Sequence, residues 1–163
     1  MDRILVPAAS LLVGVFVFAL WAWLPDIVAS RFDAAGQPVG FMPRGVYVAI
    51  MVLVSSGLPL LIWWTMVRMT QHGRVNVPNA EHWLAAPRRH ATLRFLRRHT
   101  ATFSIVLCAF MGYVNWLVAA ANQTPRAQAG ALVGSHLVVA VAAFLAFAVA
   151  WVVVLFVRFG RRR

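Results

Sequence analysis

ILVPAASLLVGVFVFALWAWL, residues 4–24, carries no formal charge along its whole length. A helix rises about 1.5 Å per residue, so this run is long enough to cross a hydrocarbon core of about 30 Å. Three more uncharged runs follow at residues 45–67, 101–121 and 131–157. The 163-residue chain is 62% apolar and 12% charged, more apolar surface than a soluble domain of this size can cover. The expected fold is therefore all-α. It is a single integral membrane domain, residues 1–163, built as a four-helix bundle. An outer loop at 25–44 joins the first two helices, and a basic loop at 68–100 joins the second and third. The first run follows Met-Asp-Arg but ends in Trp-Ala-Trp-Leu-Pro-Asp rather than a small-x-small cleavage site. It is read as a retained transmembrane helix.

All fifteen basic residues are arginine, and the net charge is +11. One arginine precedes the first run, seven lie in the basic loop and four follow the fourth run. Only Arg31, Arg44 and Arg126 lie on the other side. The positive-inside rule then places both termini and the basic loop in the cytoplasm, with loop 25–44 outside. The tryptophan pairs Trp21/Trp23 and Trp63/Trp64 sit where helix ends meet the interface. Small residues four apart, Ser10/Gly14 and Cys108/Gly112, allow close helix approach, and Ala142, Ala146 and Ala150 form a longer stripe of the same kind. Ser55-Ser56-Gly57-Leu58-Pro59 is a candidate kink. The lone Cys108 excludes an internal disulfide and a cysteine metal site.

Loop 25–44 is the one polar segment with a dense layout. Pro25, Pro38 and Pro43, with Gly36 and Gly40, exclude a long helix. Asp26 is placed to cap a short helix over residues 27–32, and Asp33-Ala-Ala-Gly36 reads as a turn with Gly36 left-handed. In the basic loop, residues 88–99 have helical spacing, with Ala91, Leu93, Phe95 and Leu96 among the charges. They are expected to lie on the membrane surface and turn into the third helix.

The outer segment resembles the N-terminal domain of the Sdp-toxin immunity family of bacterial membrane proteins. The resemblance rests on Leu24, Pro25, Arg31, Phe32, Asp33, Gly36 and Pro38, and many relatives carry His where this chain has Arg31. A second segment is also similar to relatives of that family, at Asn76, Pro78, Asn79, Trp83, Leu84, Pro87, Arg88 and Arg89, with His82 at a usual Tyr position. Together the two cover about a quarter of the chain. The resemblance implies a bacterial membrane protein that protects against a membrane-active toxin or holds a repressor at the membrane. Family members add a C-terminal membrane module, whereas this chain stops after four helices.

Polar groups inside a bilayer are costly, roughly 2.5–3.5 kcal/mol for a charge, so their positions carry information. Asn115 and His136 lie in the outward halves of the third and fourth helices. If those helices are neighbours, the two can meet as a polar floor beneath the loop, or each can make one interhelical hydrogen bond. The outer ligand or partner site is assigned to Asp26, Arg31, Asp33, Gly36, Asn115 and His136. Asp26, Asp33 and His136 do not form a metal motif. Ser135 and His136 point about 100° apart and cannot act as nucleophile and base.

On the basic side, Trp83 with Arg88, Arg89, Arg94, Arg97 and Arg98 is assigned to lipid head groups or protein docking. Lipid is favoured, and nucleic acid is not expected. Trp83, framed by Pro78 and Pro87, either docks a protein or packs on helix ends. No cofactor or catalytic group is called for. The expected partners are membrane lipids, a membrane or cytoplasmic protein, and a second copy through the small-residue stripes. The functional expectation is non-enzymatic sensing, binding or regulation at the cell surface. The alternative is a small transporter or an accessory subunit of a transport complex.

Overall fold

The computed structural model describes residues 2–33, 36–124 and 126–160, with side chains over 4–33, 36–124 and 134–160. Ala34 and Ala35 of the turn, the Arg126 side chain and residues 161–163 of the basic tail lie outside what is described.

Four helices are long and apolar enough to cross a membrane. The first, α1, runs Asp2–Ala19 and tightens into a 3-10 turn over Leu20–Trp23. After a hairpin of β1 (Ile27–Phe32) and β2 (Pro38–Pro43), α2 runs Arg44–Gln71. A single turn, α3 (Ala80–Trp83), precedes α4 (Ala86–Gln123), and α5 covers Arg126–Gly160.

The expected spans are all present, and α1, α2 and α4 form a mutually packed trio. Their close approach uses the small residues named above. A Cβ on Gly14 would stand 3.3 Å from Ser56 Cβ, and one on Gly112 would stand 3.5 Å from Val13 Cγ2. Ser10 and Cys108 meet across the α1–α4 seam at 3.8 Å. α2 continues as helix through Pro59, with Ser56 donating to the Val52 carbonyl one turn back. Beyond its end, Gly73 adopts a φ of 67° that lets Arg74 N reach Met69 O.

Two local expectations are corrected. Residues 27–32 form a strand, not a capped helix. Ile27 and Val28 are β-branched, and residues 38–43 supply a partner whose two prolines sit at the strand ends. Residues 88–99 do not turn along the surface, because they are the first turns of one helix with the third span. Pro87 lies in its first turn, where proline costs little, and no other proline or glycine interrupts it before Gly112. At about 57 Å, α4 is nearly twice the depth of a bilayer core, so its arginine-bearing start projects from the apolar zone.

α5 packs differently from the other three. Leu137, Ala140, Phe144, Phe147, Trp151 and Leu155, spaced by three and four, form its half-buried face. Phe144 stacks on Phe110 with centroids 4.4 Å apart, and Phe103 meets Phe144, Phe147 and Trp151. His99 and Trp151 clasp the two helices: their rings stack 4.5 Å apart, and each side chain donates to the other's backbone carbonyl at 3.0 Å. Ala142, Ala146 and Ala150 lie about half a turn away and are exposed. That stripe is free of the intramolecular helix packing expected of it.

Candidate functional site

The hairpin occupies the end of the bundle opposite the arginine-rich end of α4. Its strands pair antiparallel, from Ile27 with Pro43 to Phe32 with Pro38, with an irregularity around Ser30 and Arg31. The turn closes on Asp33, whose Oδ1 accepts from Gln37 N at 2.8 Å while its own N donates to Gln37 O at 2.9 Å. Gly36 adopts φ 76°, where a side chain would be strained, as the turn reading requires. Asp33 and Gly36 therefore shape the loop.

An isolated two-stranded hairpin is marginal in water, and here side chains from the helices hold it. Asn122, at the end of α4, behaves as an added strand residue on the β1 edge. Its Oδ1 accepts from Ala29 N at 2.8 Å, and its Nδ2 donates to Ala29 O at 3.0 Å and to Val118 O at 2.8 Å. Gln123 donates to Trp23 O at 3.1 Å.

Arg44 locks the base. Its guanidinium donates to Asp26 Oδ1 at 2.8 Å and Leu24 O at 2.9 Å, and it lies over the Trp21 ring at 4.9 Å. Its backbone N donates to Asp26 O at 2.8 Å. Asp26 is thus a latch between the strand ends. Val28, fully buried, plugs the hairpin into a cluster with Leu20, Leu24, Tyr47, Val48 and Ala119.

The hairpin presents three apolar side chains beside the exposed polar and charged Asp26, Arg31, Asp33 and Gln37. Ile27 is 59% exposed and Val39 and Phe41 are each 55% exposed. Arg31 is also exposed and lies across Gly40, where a Cβ would come within 2.7 Å of Arg31 Nε. Glycine at position 40 is what lets the Arg31 side chain lie flat on the strand.

Asn115 and His136 are not brought together. Asn115 is 1% exposed and faces α2, accepting from Tyr47 Oη at 2.9 Å and donating to Ser55 Oγ at 3.2 Å and Met111 O at 2.9 Å. His136 is exposed and its Nδ1 lies 3.5 Å from Tyr113 Oη. Tyr113 and Asn115 are two residues apart on α4, about 200° around the helix, so the two groups belong to opposite sides. Asn115 ties α4 to α2, an interaction worth roughly 0.6–2 kcal/mol, and does not floor a pocket.

At the basic end, Trp83 packs within the chain. Its indole N–H donates to Phe159 O at 3.3 Å, beside Asn79 Nδ2 at 3.0 Å, and its ring meets Phe159 edge-on at 5.4 Å. Val77, Leu96 and Phe159 form the buried centre of this cluster, with Met66 of α2 against it. Thr92 Oγ1 donates to Trp83 O at 2.9 Å. Arg88, Arg89, Arg94 and Arg98 are exposed along the start of α4, and Arg97 is half-buried. No group of three or more His, Cys, Asp or Glu able to hold a metal ion occurs among the described residues.

Sequence reasoning misses Asn122, Arg44 and Tyr47. The legible signals are two adjacent amides, Asn122-Gln123, ending an apolar helix opposite a loop with strand edges to satisfy, and a tyrosine one turn inside an apolar run. Four apolar helices with lipid-facing Leu, Val and Phe side chains define a multi-pass membrane protein. Compared with known proteins, the chain matches no family model, no characterised protein and no solved structure.

Proposed function

We propose that this is a non-enzymatic protein of the bacterial inner membrane that binds a ligand or protein at the cell surface through its hairpin. In this it follows the Sdp-toxin immunity proteins that its outer loop resembles. The observation that carries the reading is the clamped hairpin. Helix-borne Asn122, Gln123 and Arg44 fix a small sheet whose exposed Ile27, Val39 and Phe41, with Arg31 alongside, contribute little to the core. Ordering such a surface in advance removes much of the entropic cost of binding. Asp26, Asp33 and Gly36 set its shape, and Arg31 and Phe41 are its contact residues. The arginine distribution supports placing this end outside. The transporter alternative has less support, because the Tyr47, Ser55 and Asn115 hydrogen bonds are spent on joining α2 to α4.

Purification of the native protein from its own membranes in mild detergent, with mass spectrometry of what accompanies it, tests this. A bound molecule that is lost from Phe41→Ala and Arg31→Ala but retained by Arg94→Ala is the expected result. A companion retained by both hairpin variants and lost from Arg94→Ala would move the binding site to the basic end.

A further inference from the structure

A cavity of about 600 Å³ opens at the basic end between α3, the start of α4 and the end of α5. Its two sides differ in chemistry. One is aliphatic, formed by Val153, Val154 and Val157 of α5, each about half exposed. The other is cationic and aromatic, with Arg88, Arg158 and His82 around Trp83 and Phe95.

Both guanidinium groups are positioned. Arg158 Cζ lies 3.9 Å above the Phe95 ring, and Arg88 Nη1 meets His82 Nδ1 at 2.9 Å. No carboxylate pairs with either arginine among the described residues. The volume is in the range of sites that hold small molecules. The valines belong to the uncharged run 131–157 and Arg158 follows it directly, so the cavity straddles the boundary between hydrocarbon and head groups.

We infer that this cavity is a specific site for one anionic glycerophospholipid. The lipid phosphate lies between Arg88 and Arg158, and an acyl chain runs along Val153, Val154 and Val157. Two cations without a carboxylate call for an anion, and the adjoining aliphatic wall calls for a chain attached to it. A soluble phosphate would leave that wall unused. The site is also more than a general attraction of arginines to a charged surface. Arg158 comes from the other end of the chain, and Trp83 and Asn79 hold the α5 terminus in place by bonding the Phe159 carbonyl. The inference does not depend on the hairpin reading.

Native mass spectrometry of the full chain, released from nanodiscs of equal phosphatidylglycerol and phosphatidylcholine, tests it. The expected result is one retained phosphatidylglycerol per chain. The Arg88→Gln/Arg158→Gln pair should lower its preference over phosphatidylcholine about twenty-five-fold, at about fivefold per arginine. Val154→Trp, which sets an indole across the aliphatic wall without changing charge, should also release it. Arg68→Gln/Arg74→Gln, with the same loss of charge elsewhere at that end, should leave it bound, and excess glycerol phosphate should not displace it. Equal loss in the two arginine pairs, or full retention in Val154→Trp, would overturn the site in favour of diffuse attraction. Displacement by glycerol phosphate would make it a soluble-anion site.

Discussion

Phe159→Ala is expected to cost about 3–5 kcal/mol, the range for removing a large buried aromatic side chain. Phe159 is 2% exposed and packs on Trp83 and Phe95 at 5.4 and 5.9 Å. Its carbonyl accepts from Asn79 and Trp83, and the alanine keeps that carbonyl, so the substitution isolates the ring. Without the ring, the segment from Gly73 to Ala85 loses the surface it lies on, and the end of α5 loses its lock on α4. Unfolding in mixed micelles should show the loss, and limited proteolysis should cut near Arg74 much faster than in the native chain. A cost under about 1 kcal/mol with unchanged proteolysis would mean that the cluster is not holding the basic end together.

The second large effect is expected at the other end. Asn122→Ala removes three hydrogen bonds, two of them the tie between α4 and Ala29. At about 1 kcal/mol each the loss is about 2–3 kcal/mol, and it falls on a two-stranded sheet with little stability of its own. Amide exchange at Ala29 should therefore speed up about a hundredfold, at about 1.4 kcal/mol per factor of ten, while exchange within α2 is unchanged. Asn122→Asp keeps an acceptor for Ala29 N but sets a carboxylate oxygen against the Ala29 and Val118 carbonyls, so it should not restore slow exchange. If Ala29 exchanges equally in native and Asn122→Ala chains, Asn122 does not hold the hairpin.

Composition and hydropathy made the four spans legible, because a bilayer demands long uncharged runs whatever they pack against. The turn at Asp33 and Gly36 was legible for a similar reason, since its chemistry is local. The strand over residues 27–32 was not. Ile-Val-Ala-Ser-Arg-Phe fits a short helix about as well, and its true partner, Pro-Val-Gly-Phe-Met-Pro, hides behind two prolines and a glycine. The choice was made by tertiary contacts, with Val28 seated in the core and Asn122 on the strand edge.

Helix rotation was equally hidden. Asn115 and His136 sit at similar depths, and only the packing of α4 shows that one faces α2 and the other lies with Tyr113. The alanine stripe of α5 misled in the same way. In a helix that is apolar all round, periodicity does not say which face meets protein, and here the aromatic face does so.

A photoreactive phenylalanine derivative at position 41 tests most directly whether the hairpin is a fixed recognition surface. The residue is placed in the full chain in its own membranes, with the same substitution at lipid-facing Leu145 as control. The expected result is a discrete adduct with one protein, peptide or small molecule from position 41, and lipid alone from position 145. Lipid adducts alone from both positions would contradict it, because Phe41 would then be an interfacial anchor and the hairpin a cap on the bundle.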